Sequence, residues 1–253
     1  MQGRTDVAAD KPVALVTGAG GGIGRAIVAH LSRAGHPVAA CDLNRTAAKE
    51  AVADLDGPSG AFEMDVSDSA SVAAAIAEIE RDLGPVRVLV NNAGIDVIEP
   101  FVESTEQTWR AVVNVNYLGT VIVTRAVLDP MIEDGYGRII NISSDAGRVG
   151  SSGEVVYAGT KGAVISFGKA LAREVATKGI TVNAVCPGPT DTALLKQVAD
   201  RSQKLFDSMA RAVPMKRIGT PDDVAPAVVF FASDGAGFIT GQTLSVSGGL
   251  TMA

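Results

Sequence analysis

In the stretch "VVYAGTKGAV", a tyrosine and a lysine stand four positions apart, at 157 and 161. On a helix this spacing brings both side chains to one face. The pair is either an ordinary helix-surface couple or an acid beside the cation that tunes it. With three tyrosines and eight lysines in the chain, the spacing alone decides nothing. His30 and His36 both fall in the first strand–helix–strand stretch, so acid–base chemistry further along falls to Tyr, Lys or a carboxylate.

A second chemical signal is "TGAGGGIG" at 17–24. Gly18, Gly22 and Gly24 permit a turn with positive φ and let the backbone approach a pyrophosphate at a helix N-terminus. The alternative is a merely tight strand–helix turn. Asp42 follows Gly18 by 24 residues and closes the next apolar run. A carboxylate there accepts hydrogen bonds from a ribose and repels a 2′-phosphate, which favours NAD over NADP, with Arg45 nearby as the counterweight. It could equally be an acid at a helix N-terminus.

These residues need a frame. Apolar runs at 12–18, 36–42, 60–65, 86–94, 137–144, 179–188 and 241–249 read as seven buried strands. Helical stretches fall between them: one to about 34, then 44–55, 71–83, 105–129 and 155–177, and another from near Pro221. Asp68 and Thr105 are candidate helix caps. The alternation predicts an α/β fold, a doubly wound, parallel, seven-stranded sheet with helices on both faces, in one domain spanning 1–253. The segment 190–217 breaks the rhythm and follows a strand's C-terminal end, where a substrate lid would sit.

Composition narrows the function classes. The core must be mainly Ala, Val, Ile and Leu, because the chain is 47% hydrophobic with only 4% aromatic residues. A net charge of −6 without a basic block argues against nucleic acid. Cys41 and Cys186 are too few for a metal cluster or a disulfide framework, so no metal is expected. Residues 1–10 lack a signal peptide's apolar core and no apolar run approaches 18 residues, so the expectation is a cytoplasmic protein without membrane contact.

The pieces "TGAGGGIG", Asp42, "DV" (65–66), "NNAG" (91–94), "NVNYLG" (114–119), "INISS" (140–144 region), "YAGTK" (157–161), "CPGPTDT" (186–192) and "FITGQTLSVSGG" (238–249) follow one another in a single register. In this order and spacing the chain resembles the short-chain dehydrogenase/reductase superfamily across nearly its whole length. The resemblance implies that Tyr157 is the acid/base acting on the substrate oxygen. Lys161 and a positive nicotinamide would favour its phenolate, Lys161 also holding the nicotinamide ribose. Ser144 would hydrogen-bond the reacting oxygen, and Asn116 would hold a relay water, with Asn114 as its rival.

The resemblance also implies cofactor contacts at Gly18, Gly21, Gly22, Ile23, Gly24, Asp42 and Leu43, then at Asp65, Val66, Asn92, Ala93 and Gly94. Pro187, Gly188, Thr190 and Thr192 would meet the nicotinamide half. In the family the helix carrying Tyr157 packs against another subunit, which implies a dimer or tetramer, with a homotetramer expected.

The substrate is less legible. Leu194, Leu195, Val198, Leu205, Phe206 and Met209 give the 190–217 segment an apolar face. Its six cations outnumber its three acids, and Arg148 adds another cation between Ser144 and Tyr157. Such groups at a pocket mouth would draw a phosphate-bearing acyl-CoA or acyl carrier protein, or they are ordinary solvated faces. The stretches "SSDAGRVGSSGEVVYA" and "CPGPTDTALL" most resemble the branch holding 2-hydroxycyclohexanecarbonyl-CoA dehydrogenase and 3-oxoacyl thioester (3-oxoacyl-ACP) reductases. This implies a β-hydroxyacyl or β-oxoacyl thioester, with Ser144, Arg148, Tyr157, Leu194 and Leu195 as substrate contacts. The competing readings are a dehydrogenase of free cyclic alcohols or steroids, and a non-catalytic NAD-binding sensor.

Overall fold

Short β-branched and alanine-rich runs fold as β1 Val13–Thr17, β2 Val38–Asp42, β3 Ser59–Glu63, β4 Val86–Asn91, β5 Gly137–Ile142, β6 Ile180–Pro187 and β7 Thr243–Val246. The structure, a computed structural model, describes residues 11–193, 195 and 203–252. All seven strands pair in parallel, in the order β3-β2-β1-β4-β5-β6-β7. Strand order reverses between β1 and β4. At such a switch point the loops leaving the strands part and open a crevice.

The helices are α1 Gly22–Arg33, α2 Arg45–Val52, α3 Ser69–Asp82, α4 Glu106–Val113, α5 Gly119–Asp134, α6 Ala146–Val149, α7 Val155–Val175, α8 Gln203–Ala212 and α9 Pro221–Ala232. Side chains alternate across each strand, so the sheet builds two cores. Leu15, Leu89, Ile139 and Val182 face α3, α5 and α7, where they meet Ile79, Val127, Met131 and Val175. Ala14, Val16, Val88, Val90 and Ile140 face the opposite side, against Ile27 and Leu31 of α1 and Val228 and Phe231 of α9. Strands buried on both faces explain why they read as continuous apolar runs rather than as alternating ones.

Local chemistry sets several boundaries. Asp68 Oδ1 accepts from Ala70 N–H at 2.9 Å and starts α3, and Thr105 Oγ1 accepts from Thr108 N–H at the start of α4. Asn44, which the sequence reading does not single out, caps α2 by accepting from Thr46 and Ala47. The helix expected to stop at 129 differs more. It passes through a π-turn at Asn114–Leu118 and continues through Pro130 to Asp134, closing at left-handed Gly135. Burial of Met131 and packing of Ile132 against the core outweigh the hydrogen bond that an interior proline removes. The stretch Glu106–Asp134 is long and apolar enough to span a membrane by length and composition, yet it packs on the sheet as a core helix.

In the expected lid segment, α8 is an amphipathic helix, and Thr190 bridges in parallel to Gly219. Leu194 and the stretch 196–202, Val198 included, lie outside the described residues.

Replacing Asp68 by Ala removes the α3 cap and is expected to lower stability by about 1 kcal/mol, read as a reduced urea midpoint with an unchanged denaturant slope.

Candidate active site

The C-terminal ends of β1 and β4 are tied together before any ligand is considered. Thr17 Oγ1 accepts from the N–H groups of Asn92 and Ala93, each at 3.0 Å. Asn92 Nδ2 donates to the carbonyls of Thr17 (2.9 Å) and Gly18 (3.0 Å), so this side chain holds the glycine turn. Gly18 sits at φ +63°, and a Cβ there would meet the Ala93 backbone at 2.8 Å. A Cβ on Gly24 would collide with the Gly18 carbonyl. Gly21 and Gly22 are exposed instead, at an α1 N-terminus with no side-chain cap and no acid in its first turn. Exposed N–H groups at a helix N-terminus, with no Cβ in front of them, fit a pyrophosphate. Asp42 closes β2 beside this turn; its Oδ2 accepts from Gly20 N–H and its Oδ1 from Asn44 N–H, both at 2.9 Å. Leu43 beside it is 68% exposed. Asp65 fixes its own turn through Ser67, and Val66 packs against Gly119.

Beyond β4 and β5 a cleft of about 520 Å³ opens. Ile23, Asn92, Gly94, Ser144, Tyr157, Lys161, Pro187, Gly188, Thr190, Thr192 and Leu195 all line it, as do Ile98, Val149, Met209 and Leu250. Residues read as chemical from 23 to 195 thus meet around one space. Gly188 is required there, because a Cβ would strike Ser247 at 2.6 Å.

The two serines divide the work. Ser143 Oγ is buried and donates to the Lys161 carbonyl at 2.8 Å, pinning β5 to α7. Ser144 faces the cleft and accepts from Ala146 N–H at 3.1 Å. Lys161 is 5% exposed; its ammonium donates to the Ile142 carbonyl at 2.9 Å and lies 5.6 Å from the centre of the Tyr157 ring. Burial pulls its pKa down to about 8, partly opposed by Cys186 and Asp96.

Asn116 is buried on the π-turn and Asn114 is exposed. The Asn116 side chain accepts from Ile95 N–H at 2.8 Å and donates to the Ile95 carbonyl and to Thr160 Oγ1. It therefore holds the loop after β4 to α7. Gly94 packs so closely here that a Cβ would lie 3.3 Å from both Asn116 Oδ1 and Lys161 Nζ.

Two expectations change. Burial drives the Tyr157 pKa upward, and Asp96, Glu154 and Cys186 add to the effect, while the Ser144 hydroxyl works the other way. Without the cofactor the chain's own groups therefore favour the protonated phenol, where Lys161 and a positive nicotinamide are together expected to favour phenolate. Arg148 does not line the cleft: its guanidinium donates to Ser245 Oγ at 2.5 Å, and Ser245 donates to Asp145 Oδ1 at 2.5 Å. Of the cations expected at the mouth, Lys196 and Arg201 lie outside the described residues. Among the described residues, Arg217 is held by Asp223, Lys216 Nζ donates to the Arg211 carbonyl, and Lys161 is the one Lys or Arg lining the cleft. Acids line it instead, at Asp145 and Glu154. Sequence reasoning missed Glu154, Asp96 and Thr160; an acid three residues before Tyr157 was the available signal.

A lysine whose folded pKa lies below its unfolded value binds fewer protons folded than unfolded between the two. Native stability should then rise with pH from about 8 towards 10.4. Lys161→Met removes this ionisation, so its stability relative to the parent is expected to be highest near pH 7 and to fall towards pH 10, in paired denaturant melts.

The family model described as enoyl-(acyl carrier protein) reductase matches residues 18–251. Acetoacetyl-CoA reductase of Shinella zoogloeoides is 44% identical, over 94% of this chain and 97% of its own. Human (3R)-3-hydroxyacyl-CoA dehydrogenase is 40% identical, over 95% of each chain. The 3-oxoacyl-(acyl carrier protein) reductase FabG of Escherichia coli (strain K12) is 38% identical, over 95% of this chain and 97% of its own. The likeness runs from the glycine turn past the last strand, and on it the chain belongs to the short-chain dehydrogenase/reductase superfamily.

Proposed function

We propose that the protein interconverts a β-hydroxyacyl and a β-oxoacyl thioester, carried on CoA or acyl carrier protein, with NAD(H) as hydride partner. The observation that carries this is the cleft itself. Ser144, Tyr157 and Lys161 meet at one place along a space walled in part by Ile98, Val149, Leu195, Met209 and Leu250, which suits an acyl chain. The relatives named above, each described by a 3-oxo- or 3-hydroxyacyl thioester activity, support the same substrate class.

In this reading the Gly18–Gly24 turn binds the phosphates and Asp42 the adenosine ribose, with Asp65 and Val66 towards adenine. Asn92, Ala93 and Gly94 border the ribose. Pro187, Gly188, Thr190 and Thr192 flank the nicotinamide, which when bound gives or takes the hydride. Asp42 supports NAD over NADP, because its carboxylate fixes the turn beside the place where a 2′-phosphate would bring like charge. Ser144 donates to the substrate oxygen and orients it. Tyr157, held protonated by its surroundings, gives its proton to that oxygen in reduction and takes it back in oxidation. Lys161, fixed by Ile142, presents a positive charge beneath the ring as the phenolate forms. Asn116 keeps the loop after β4 seated against α7.

Assembly as a homotetramer accompanies this reading, supported by the open space at Gly159 on α7 and by the exposed Phe238 and Leu244 beside and on β7. So does work in the cytoplasm, where the buried, unpaired Cys41 and Cys186 remain thiols.

Tyr157→Phe is expected to lower kcat by about 10²–10⁴-fold while the protein still binds NADH, measured by fluorescence titration; near-parental turnover would refute the proton role. In a panel read by NADH absorbance, β-hydroxyacyl-CoAs should exceed the matching free acids and cyclic alcohols in kcat/KM. Equal rates would remove the thioester from the proposal. Asp42→Ala should narrow the ratio of kcat/KM for NAD over NADP.

A further inference from the structure

Two acids beside Tyr157 have no part in the chemistry above. Asp96 lies two residues past Gly94, on the loop leaving β4, and Glu154 stands immediately before α7. Both carboxylate oxygens of Asp96 are shut off from solvent without a well-formed hydrogen bond, the Val97 N–H being the backbone donor that favours its charge. Left ionised and unpaired, such a group is costly to bury. Glu99 N–H donates to the Gly153 carbonyl at 3.0 Å, which seats the Asp96 loop beside Glu154, and two neighbouring carboxyls are favourable there only when one carries a proton.

Asp96 lines a small hollow with Glu99 of its own loop, with Phe101 and Ser104 of the next turn, and with Thr108, Trp109 and Val112 around α4, none of the last five ionisable near neutral pH. From α7, Tyr157 borders both this hollow and the main cleft, while Glu154 and Lys161 line the cleft. Cys186, at the end of β6, also bears on Tyr157 and Lys161.

We propose that Asp96 and Glu154 hold one proton between them and act as positioning residues that set the proton affinity of Tyr157. The shared proton makes the pair a single negative charge next to the phenol; its loss adds a second. Burial first, then Glu154, holds the Asp96 acid up at about 7, with the Val97 N–H and then the Lys161 ammonium pulling the other way. Ionisation of the pair as pH rises through neutrality therefore makes Tyr157 harder to deprotonate and Lys161 harder to discharge, because both carboxylates bear on the phenol and Asp96 on the ammonium.

The test compares the parent protein with Asp96→Asn, Glu154→Gln and the double variant. Infrared titration of the protein without cofactor or substrate should show one carboxylic acid ionising near neutral pH in the parent and none there in either single variant. That neutral-pH acid persisting in both singles, or missing from the parent, overturns the proposal. In the pH dependence of kcat, each single variant should lose the step near neutrality and move the Tyr157 limb down by about one unit, and the double variant should match the singles at the neutral step. Unmoved limbs, or independent and additive changes, overturn it. If Asp96→Asn does not fold, judged by thermal melting, Glu154→Gln at the cleft surface gives the same readings. The rate measurement rests on the oxidoreductase reading and the infrared one does not: a titrating pair in a protein that turns over no thioester would leave the pair standing and remove the substrate.

Discussion

The join between β5 and α7 is the constraint on which the site depends. Ser143 donates to the Lys161 carbonyl, and Lys161 Nζ donates to the Ile142 carbonyl, so strand end and helix are cross-stitched by two buried bonds. Gly147 completes the seam, since a Cβ there would press on the Lys161 and Gly162 backbone at 2.7 Å. These contacts fix where α7 begins relative to the sheet. They therefore fix where Tyr157 meets Ser144, one side chain from the helix and one from the strand end.

The fold was legible because it rests on period and punctuation. Seven apolar runs and the glycine turn each obey local rules, and the strands carry enough Val, Ile and Ala to be recognised without long-range information. Pro130 misled for a physical reason: local propensity ends a helix there, and the burial of Met131 beyond it is a tertiary fact. The gathering of Gly94, Ser144, Tyr157, Lys161 and Thr192 around one cleft followed from spacing and family pattern.

What stayed hidden was partner choice. Nothing local says that Arg148 turns to Ser245, nearly a hundred residues away, or that Arg217 spends its charge on Asp223. The same holds for Tyr157. Sequence shows the lysine one turn along the helix and Glu154 three residues before the tyrosine, but the burial of the phenol and the nearness of Asp96 and Cys186 exist only once β4, β6 and α7 are packed. Electrostatics at a buried site is a property of the fold, and a motif reports only some of the charges in it.

The Asn92 side chain has a consequence for binding thermodynamics. By bridging the Thr17 and Gly18 carbonyls it holds the glycine turn in one conformation in the free protein. A phosphate-binding loop rich in glycine would otherwise have to be frozen at each encounter. Here that entropy is lost once, during folding. On the proposed reading, association then meets a preorganised anion receptor, whose affinity reflects new contacts rather than the repeated ordering of a flexible turn.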